Sequence, residues 1–133
     1  MKITNKETIE MINVLSSDSI QNKILPRKLS FAIGKNLERL RSQIYKPYLE
    51  ELKKLEKQYQ KTDEEGKPVK ENGRTVYTDR EAYEKELQEL LAIENEFDMH
   101  TIFEEILDQC ENEEKYSKLN VKETIVLMKM LVE

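Results

Sequence analysis

The sequence predicts a mainly α-helical fold, and three observations carry that prediction. From Lys28 to Tyr59 the residues Leu29, Ile33, Leu37, Leu40, Ile44, Tyr48, Leu52, Leu55 and Tyr59 recur at steps of three or four, the spacing of one apolar stripe on a long helix. Charged residues make up 37% of the 133 positions while glycine and proline number three each, a balance that suits solvated helices better than a compact β structure. Helix-start signals stand at Thr4, Thr78 and Asn120, each with a glutamate three positions on that can complete a capping box.

The expected architecture is a long kinked helix folded into an antiparallel helical hairpin, tipped by a short β-hairpin, with short N- and C-terminal helices packed at its base. A single domain over 1–133 is expected, with 1–60 and 79–133 as helical scaffold and 61–78 as loop and tip. Thr4 caps a first helix that carries Ile9, Ile12 and Leu15 inward and stops at Ser16-Ser17-Asp18, where short polar side chains compete for backbone hydrogen bonds. Pro26 fixes its own φ and holds Leu25 away from helical geometry, so the long helix starts just after it. At about 1.5 Å per residue the stripe from Lys28 to Tyr59 would run roughly 48 Å, so another segment has to cover part of it.

Inside that helix Pro47 removes the N–H that would bond the Gln43 carbonyl, and a kink is expected there because the stripe keeps its register through Ile44, Tyr48 and Leu52. Past Gln60 the run Asp63-Glu64-Glu65-Gly66 offers no apolar anchor. Asn72-Gly73 then fits a two-residue type I′ turn, which sets Glu71 opposite Arg74, Lys70 opposite Thr75 and Val69 opposite Val76. Thr78 opens a helix through about Glu96, with Tyr83, Leu87, Leu90, Leu91 and Phe97 facing inward. Met99, Ile102, Phe103, Ile106 and Cys110 mark a short amphipathic helix whose outer face is Glu104, Glu105, Asp108 and Glu111. Asn120 caps a last helix that is apolar from Ile125 to Val132 with one interruption, so it is buried or covered by another subunit. Lys-Glu-Thr-Ile occurs in both the first and last helices, at Lys6–Ile9 and Lys122–Ile125.

Charge is unevenly distributed. Residues 1–60 hold 12 Lys or Arg against 7 Asp or Glu, residues 61–80 hold five of each, and residues 81–133 hold five against 15. Basic helices lying beside acidic ones would neutralise part of this; an acidic face left over would suit a basic partner. No uncharged run approaches the ~20 residues that span a bilayer, and the first ten residues lack the apolar core of a signal peptide, so no membrane association and a cytoplasmic location are expected. The single cysteine, Cys110, agrees with a reducing compartment.

Chemistry has little to work with here. His100, Glu104 and Asp108 fall at i, i+4 and i+8, but one histidine without a partner motif makes a poor metal site, so no metal and no cofactor are expected. The serines have no base at a recognisable spacing, and the glycines are too scattered for a phosphate loop, so no catalytic residue is assigned. Arg27, Lys28, Lys35, Arg39, Arg41 and Lys46 form a basic run on the long helix, yet the acidic total argues against a free DNA binder.

Several stretches resemble a family of small, largely uncharacterised proteins encoded by phages and prophages of Gram-positive bacteria. They are Ile3-Thr4-Asn5-Lys6-Glu7, Leu29-Ser30-Phe31-Ala32-Ile33 with Lys35-Asn36-Leu37, Lys46-Pro47-Tyr48, the loop Asp63 to Val69, and Lys85-Glu86-Leu87 with Leu90-Leu91 and Glu94. The resemblance implies a setting, the host cell cytoplasm, and carries no activity with it. Charge and setting together point to a non-enzymatic protein-binding module that inhibits a host defence or nucleic-acid-handling protein. Its expected contact residues are Glu104, Glu105, Asp108 and Glu111 on the acidic face and Lys70, Asn72 and Arg74 on the arm. The alternative is a homo-oligomeric phage assembly protein built through the C-terminal helix; nucleic-acid binding by the basic helix is a third.

Overall fold

The computed structural model describes residues 1–132. It opens on an element that no periodicity announces, strand β1 (Lys2–Thr4), which pairs antiparallel with Glu94–Glu96 far along the chain. Helix α1 (Asn5–Leu15) follows directly, and its capping box forms as expected: the Glu7 N–H donates to Thr4 Oγ1 at 3.0 Å and the Thr4 N–H donates to Glu7 Oε1 at 3.2 Å. Where a loop was expected, Ser17 caps one more short turn of helix, α2 (Asp18–Gln21), which buries Ile20.

Helix α3 (Arg27–Leu40) starts on the residue after Pro26. It passes through a five-residue π turn, Arg41–Tyr45, into α4 (Lys46–Tyr59). The π turn is how the chain accommodates Pro47. The Lys46 N–H donates to the Arg41 carbonyl, five residues back, and this widened turn makes room just ahead of a residue that has no N–H to give. The helical backbone is thus continuous from Arg27 to Tyr59, roughly 50 Å at 1.5 Å per residue.

Strands β2 (Lys70–Glu71) and β3 (Arg74–Thr75) form the expected hairpin in the expected register, Lys70 with Thr75 and Glu71 with Arg74. Asn72 and Gly73 both take positive φ, 51° and 78°, as a type I′ turn requires. Helix α5 (Arg80–Leu91) differs from the sequence reading at both ends. Asp79, not Thr78, caps it, accepting from the Ala82 N–H, while the Thr78 hydroxyl donates to the Tyr59 carbonyl. It also stops at Leu91 rather than near Glu96, because Asn5 takes over: its side-chain amide donates to the Leu90 carbonyl at 2.8 Å and its N–H to the Ile93 carbonyl. Residues Glu94–Glu96 are strand β4, the partner of β1, and Phe97 enters the core beyond it.

Helix α6 (Glu104–Asn112) begins later than the apolar spacing indicated. Met99 and Ile102 belong to an extended segment whose backbone groups are used elsewhere: the Ile102 N–H donates to the Met130 carbonyl and the Val132 N–H to the Ile102 carbonyl. Phe103, expected inward, is exposed. Helix α7 (Val121–Met128) has its capping box, formed between Asn120 and Glu123. It is not buried all round, since Val126 and Leu127 face inward while Val121, Ile125 and Met128 face out.

The main core gathers Ile3, Met11, Leu15, Leu29, Leu40 and Leu127 from β1, α1, α3 and α7. The N-terminal helix packs on α3 and the π turn, and α7 docks on α1. Tyr48, Leu55 and Tyr83 are buried outside that cluster, where α5 lies against α4. There Tyr83 stacks on Tyr77 at 4.1 Å and meets the Tyr59 ring edge-on at 6.3 Å, so aromatic contact rather than charge defines this seam. The ion pairs of these helices run within each helix, Glu51 with Lys54 and Arg80 with Glu84. Among the described residues no helix is long and apolar enough to cross a membrane.

Candidate functional site

The four acidic residues expected to form a face are all exposed on α6. Three of them, Glu104, Asp108 and Glu111, rim a groove of about 300 Å³ between α6 and α7, and Glu105 stands outside it. Its floor is apolar: Leu107 and Cys110 come from α6, Leu119 precedes α7, and Met128 and Leu131 come from the far end of the chain. Tertiary pairing assembles this floor, because the bridge between Ile102 and Leu131 fixes the strand-like end of the chain beside α6. No local signal marks Leu119, Met128 or Leu131 as groove residues: Leu119 stands just ahead of the Asn120 cap, and Met128 and Leu131 read as ordinary helix-face apolarity.

Glu104 and Asp108 make no ion pair or side-chain hydrogen bond among the described residues, whereas Glu111 is 3.5 Å from Lys118. Burial pushes the Cys110 thiol above its usual range, outweighing a backbone hydrogen bond that lowers it. An acidic edge along α6 beside an apolar floor can accept a segment that brings both cations and aliphatic side chains.

The tip residues are placed differently. Asn72 and Arg74 line an open concavity of about 550 Å³ with Glu71, Thr75, Tyr77 and Arg80, and Lys70 is not part of it. A third stretch of chain braces the hairpin: the Lys61 N–H donates to the Val76 carbonyl and the Val69 N–H to the Lys61 carbonyl, both at 2.8 Å. Opposite charges alternate along it, Glu71 facing Arg74 across the strands, so the tip favours neither sign of partner. No described contact joins the tip residues to the α6 face.

His100, the remaining candidate ligand, lies in the extended segment before α6, where its ring meets the Phe31 ring edge-on at 5.3 Å. Among the described residues no group of three or more His, Cys, Asp or Glu side chains could hold a metal ion. Comparison with known proteins finds no matching family model, no matching curated protein and no matching solved structure.

Proposed function

We propose that the chain is a non-enzymatic protein-binding module, an inhibitor of a host defence or nucleic-acid-handling protein, that seats a basic segment with apolar side chains in the α6–α7 groove. The observation that carries this reading is the conjunction of free carboxylates at Glu104 and Asp108 with a floor of Leu107, Leu119 and Leu131. On this reading α4 and α5 form an antiparallel arm tipped by the hairpin, a secondary contact through Lys70, Asn72 and Arg74. The phage resemblance supplies the setting of an infected cell.

The test uses a short Lys- and Leu-rich peptide and calorimetry. Reversing both Glu104 and Asp108 to Lys should weaken binding by on the order of tenfold and flatten its dependence on salt. Glu105→Lys, the same charge change outside the groove, should do much less. Equal effects from the two, or none, would leave only general electrostatics and sink the groove reading. In capture from a Gram-positive host lysate, a protein retained by the native chain and lost with the double reversal would identify the target.

A second reading, homo-oligomeric assembly, has an observation of its own. On α7, Val121, Ile125 and Met128 are 76%, 57% and 54% exposed at steps of four and three, the spacing of a helix-pairing seam. If this seam pairs copies, sedimentation should give a dimer or larger species that Ile125→Glu reduces to a monomer with unchanged helix content. A native chain that sediments as a monomer leaves the groove reading alone.

A further inference from the structure

Helix α3 and the π turn carry Arg27, Lys28, Lys35, Arg39 and Arg41, with Glu38 as the one acid among them. Of the five cations only Arg39 has an ion-pair partner among the described residues, Asp98 at 4.0 Å, and it also donates to the Asp98 carbonyl. The neutralisation expected from an acidic helix alongside therefore does not reach this face. Residues four apart on a helix lie one above another, so Arg27, Phe31 and Lys35 form one outward stripe. Arg27, Gly34 and Arg41, seven apart, run beside it. Apart from the adjoining backbone of its own helix, no described atom lies within 4 Å of where a Gly34 Cβ would stand, so the helix surface is open there.

Phe31 is the feature that asks for an occupant. It is 58% exposed at the centre of the cations, with the Lys35 ammonium 5.5 Å from its ring centre and the His100 ring against its edge. Pro26 gives no side-chain cap, so the positive end of the α3 dipole adds to Arg27 and Lys28. We infer that this stripe binds single-stranded nucleic acid, its cations following the phosphates while a base stacks on Phe31. Charge complementarity calls for a polyanion. The exposed ring selects a single strand, because the base faces of a duplex are already stacked and out of reach. The cations flanking the stripe, from Arg27 to Arg41, extend about 21 Å along the helix at 1.5 Å per residue, enough for several nucleotides. The surface is separate from the α6–α7 groove, and a basic protein segment would be repelled from it.

Fluorescence anisotropy with labelled oligothymidylate and oligoadenylate tests this on the full chain. Four free cations predict a slope of about −3 in log affinity against log salt, a loss of about 50-fold between about 50 and 200 mM. Lys35→Gln with Arg41→Gln should halve that slope. Phe31→Ala should weaken binding by about tenfold without changing the slope. All three side chains are exposed, and circular dichroism will verify that the variants stay folded. Absence of binding at low salt overturns the inference. So does Phe31→Ala with native affinity, equal or tighter binding of duplex, or displacement by polyglutamate better than by oligonucleotide, which would make the stripe a surface for acidic protein.

Discussion

Asn36→Ala is expected to lower the unfolding free energy by roughly 2–4 kcal/mol. Its side chain is fully buried in α3 and treats the backbone of His100 as a strand would: the amide donates to the His100 carbonyl at 2.9 Å and the amide oxygen accepts the His100 N–H at 2.7 Å. Truncation leaves a backbone donor and acceptor short of partners, each worth roughly 1–3 kcal/mol, moderated because His100 is only half-buried. In thermal unfolding the loss should appear as a fall of on the order of 10 °C. Asn36→Asp separates the two bonds. Its carboxylate keeps the acceptor and loses the donor, and burial raises its pKa, so the folded state holds a proton that the unfolded state releases. Stability of that variant should therefore rise as pH falls, when the protonated acid can donate to the His100 carbonyl again. An Asn36→Ala variant within about 0.5 kcal/mol of the native chain would mean that the segment before α6 is held by other contacts.

Glu123 carries the second large effect. Only 2% exposed, it accepts from the Ser19 hydroxyl at 2.7 Å and from the Asn120 N–H at 2.9 Å, and the Lys23 ammonium stands 3.5 Å away. One carboxylate thus caps α7 and ties it to the segment around α2. Burial by itself would raise its pKa, but the Asn120 N–H, the Ser19 hydroxyl and Lys23 together outweigh burial and hold it below the usual glutamate range. A lowered folded pKa means that the unfolded state binds the proton more readily. The contribution is therefore fully present above the unfolded value of about 4.3 and is lost as pH falls through the folded one. Glu123→Ala should cost roughly 2–4 kcal/mol at neutral pH, less than a fully enclosed ion pair because Lys23 can turn to water. Glu123→Gln keeps the cap and loses the charge, so it should cost about 1 kcal/mol and make unfolding less steep in acid. An unchanged acid limb in the glutamine variant would assign acid sensitivity to other carboxylates.

Much of the secondary structure was legible because its causes are local. The Thr4 and Asn120 boxes, the start of α3 after Pro26 and the register around Asn72-Gly73 each depend on residues within a few positions of one another. The acidic half of the candidate groove was legible for the same reason, since Glu104, Asp108 and Glu111 share one helix face. Its apolar half was not, because Leu119, Met128 and Leu131 meet Leu107 only once the chain end has paired with Ile102. The early end of α5 has the same origin: Glu94–Glu96 have nothing against continuing a helix until β1 and the Asn5 amide compete for their place. Phe31 lies two residues from Leu29 and from Ile33, so the stripe itself sets it on the outward side of α3; packing decided only that the His100 ring comes to rest against it.

By itself, then, the sequence determined where α1, α3 and α7 start, where the hairpin turns and how charge divides between the two halves. Caps, glycine φ and periodicity act over one or two turns of chain and do not wait for a fold. Tertiary structure alone decided the strand between the first residues and Glu94–Glu96, the early end of α5, and which side of α7 stays open. Each of these sets a long-range hydrogen bond or a buried contact against a local preference of comparable size, and the outcome depends on which partner the rest of the chain brings within reach.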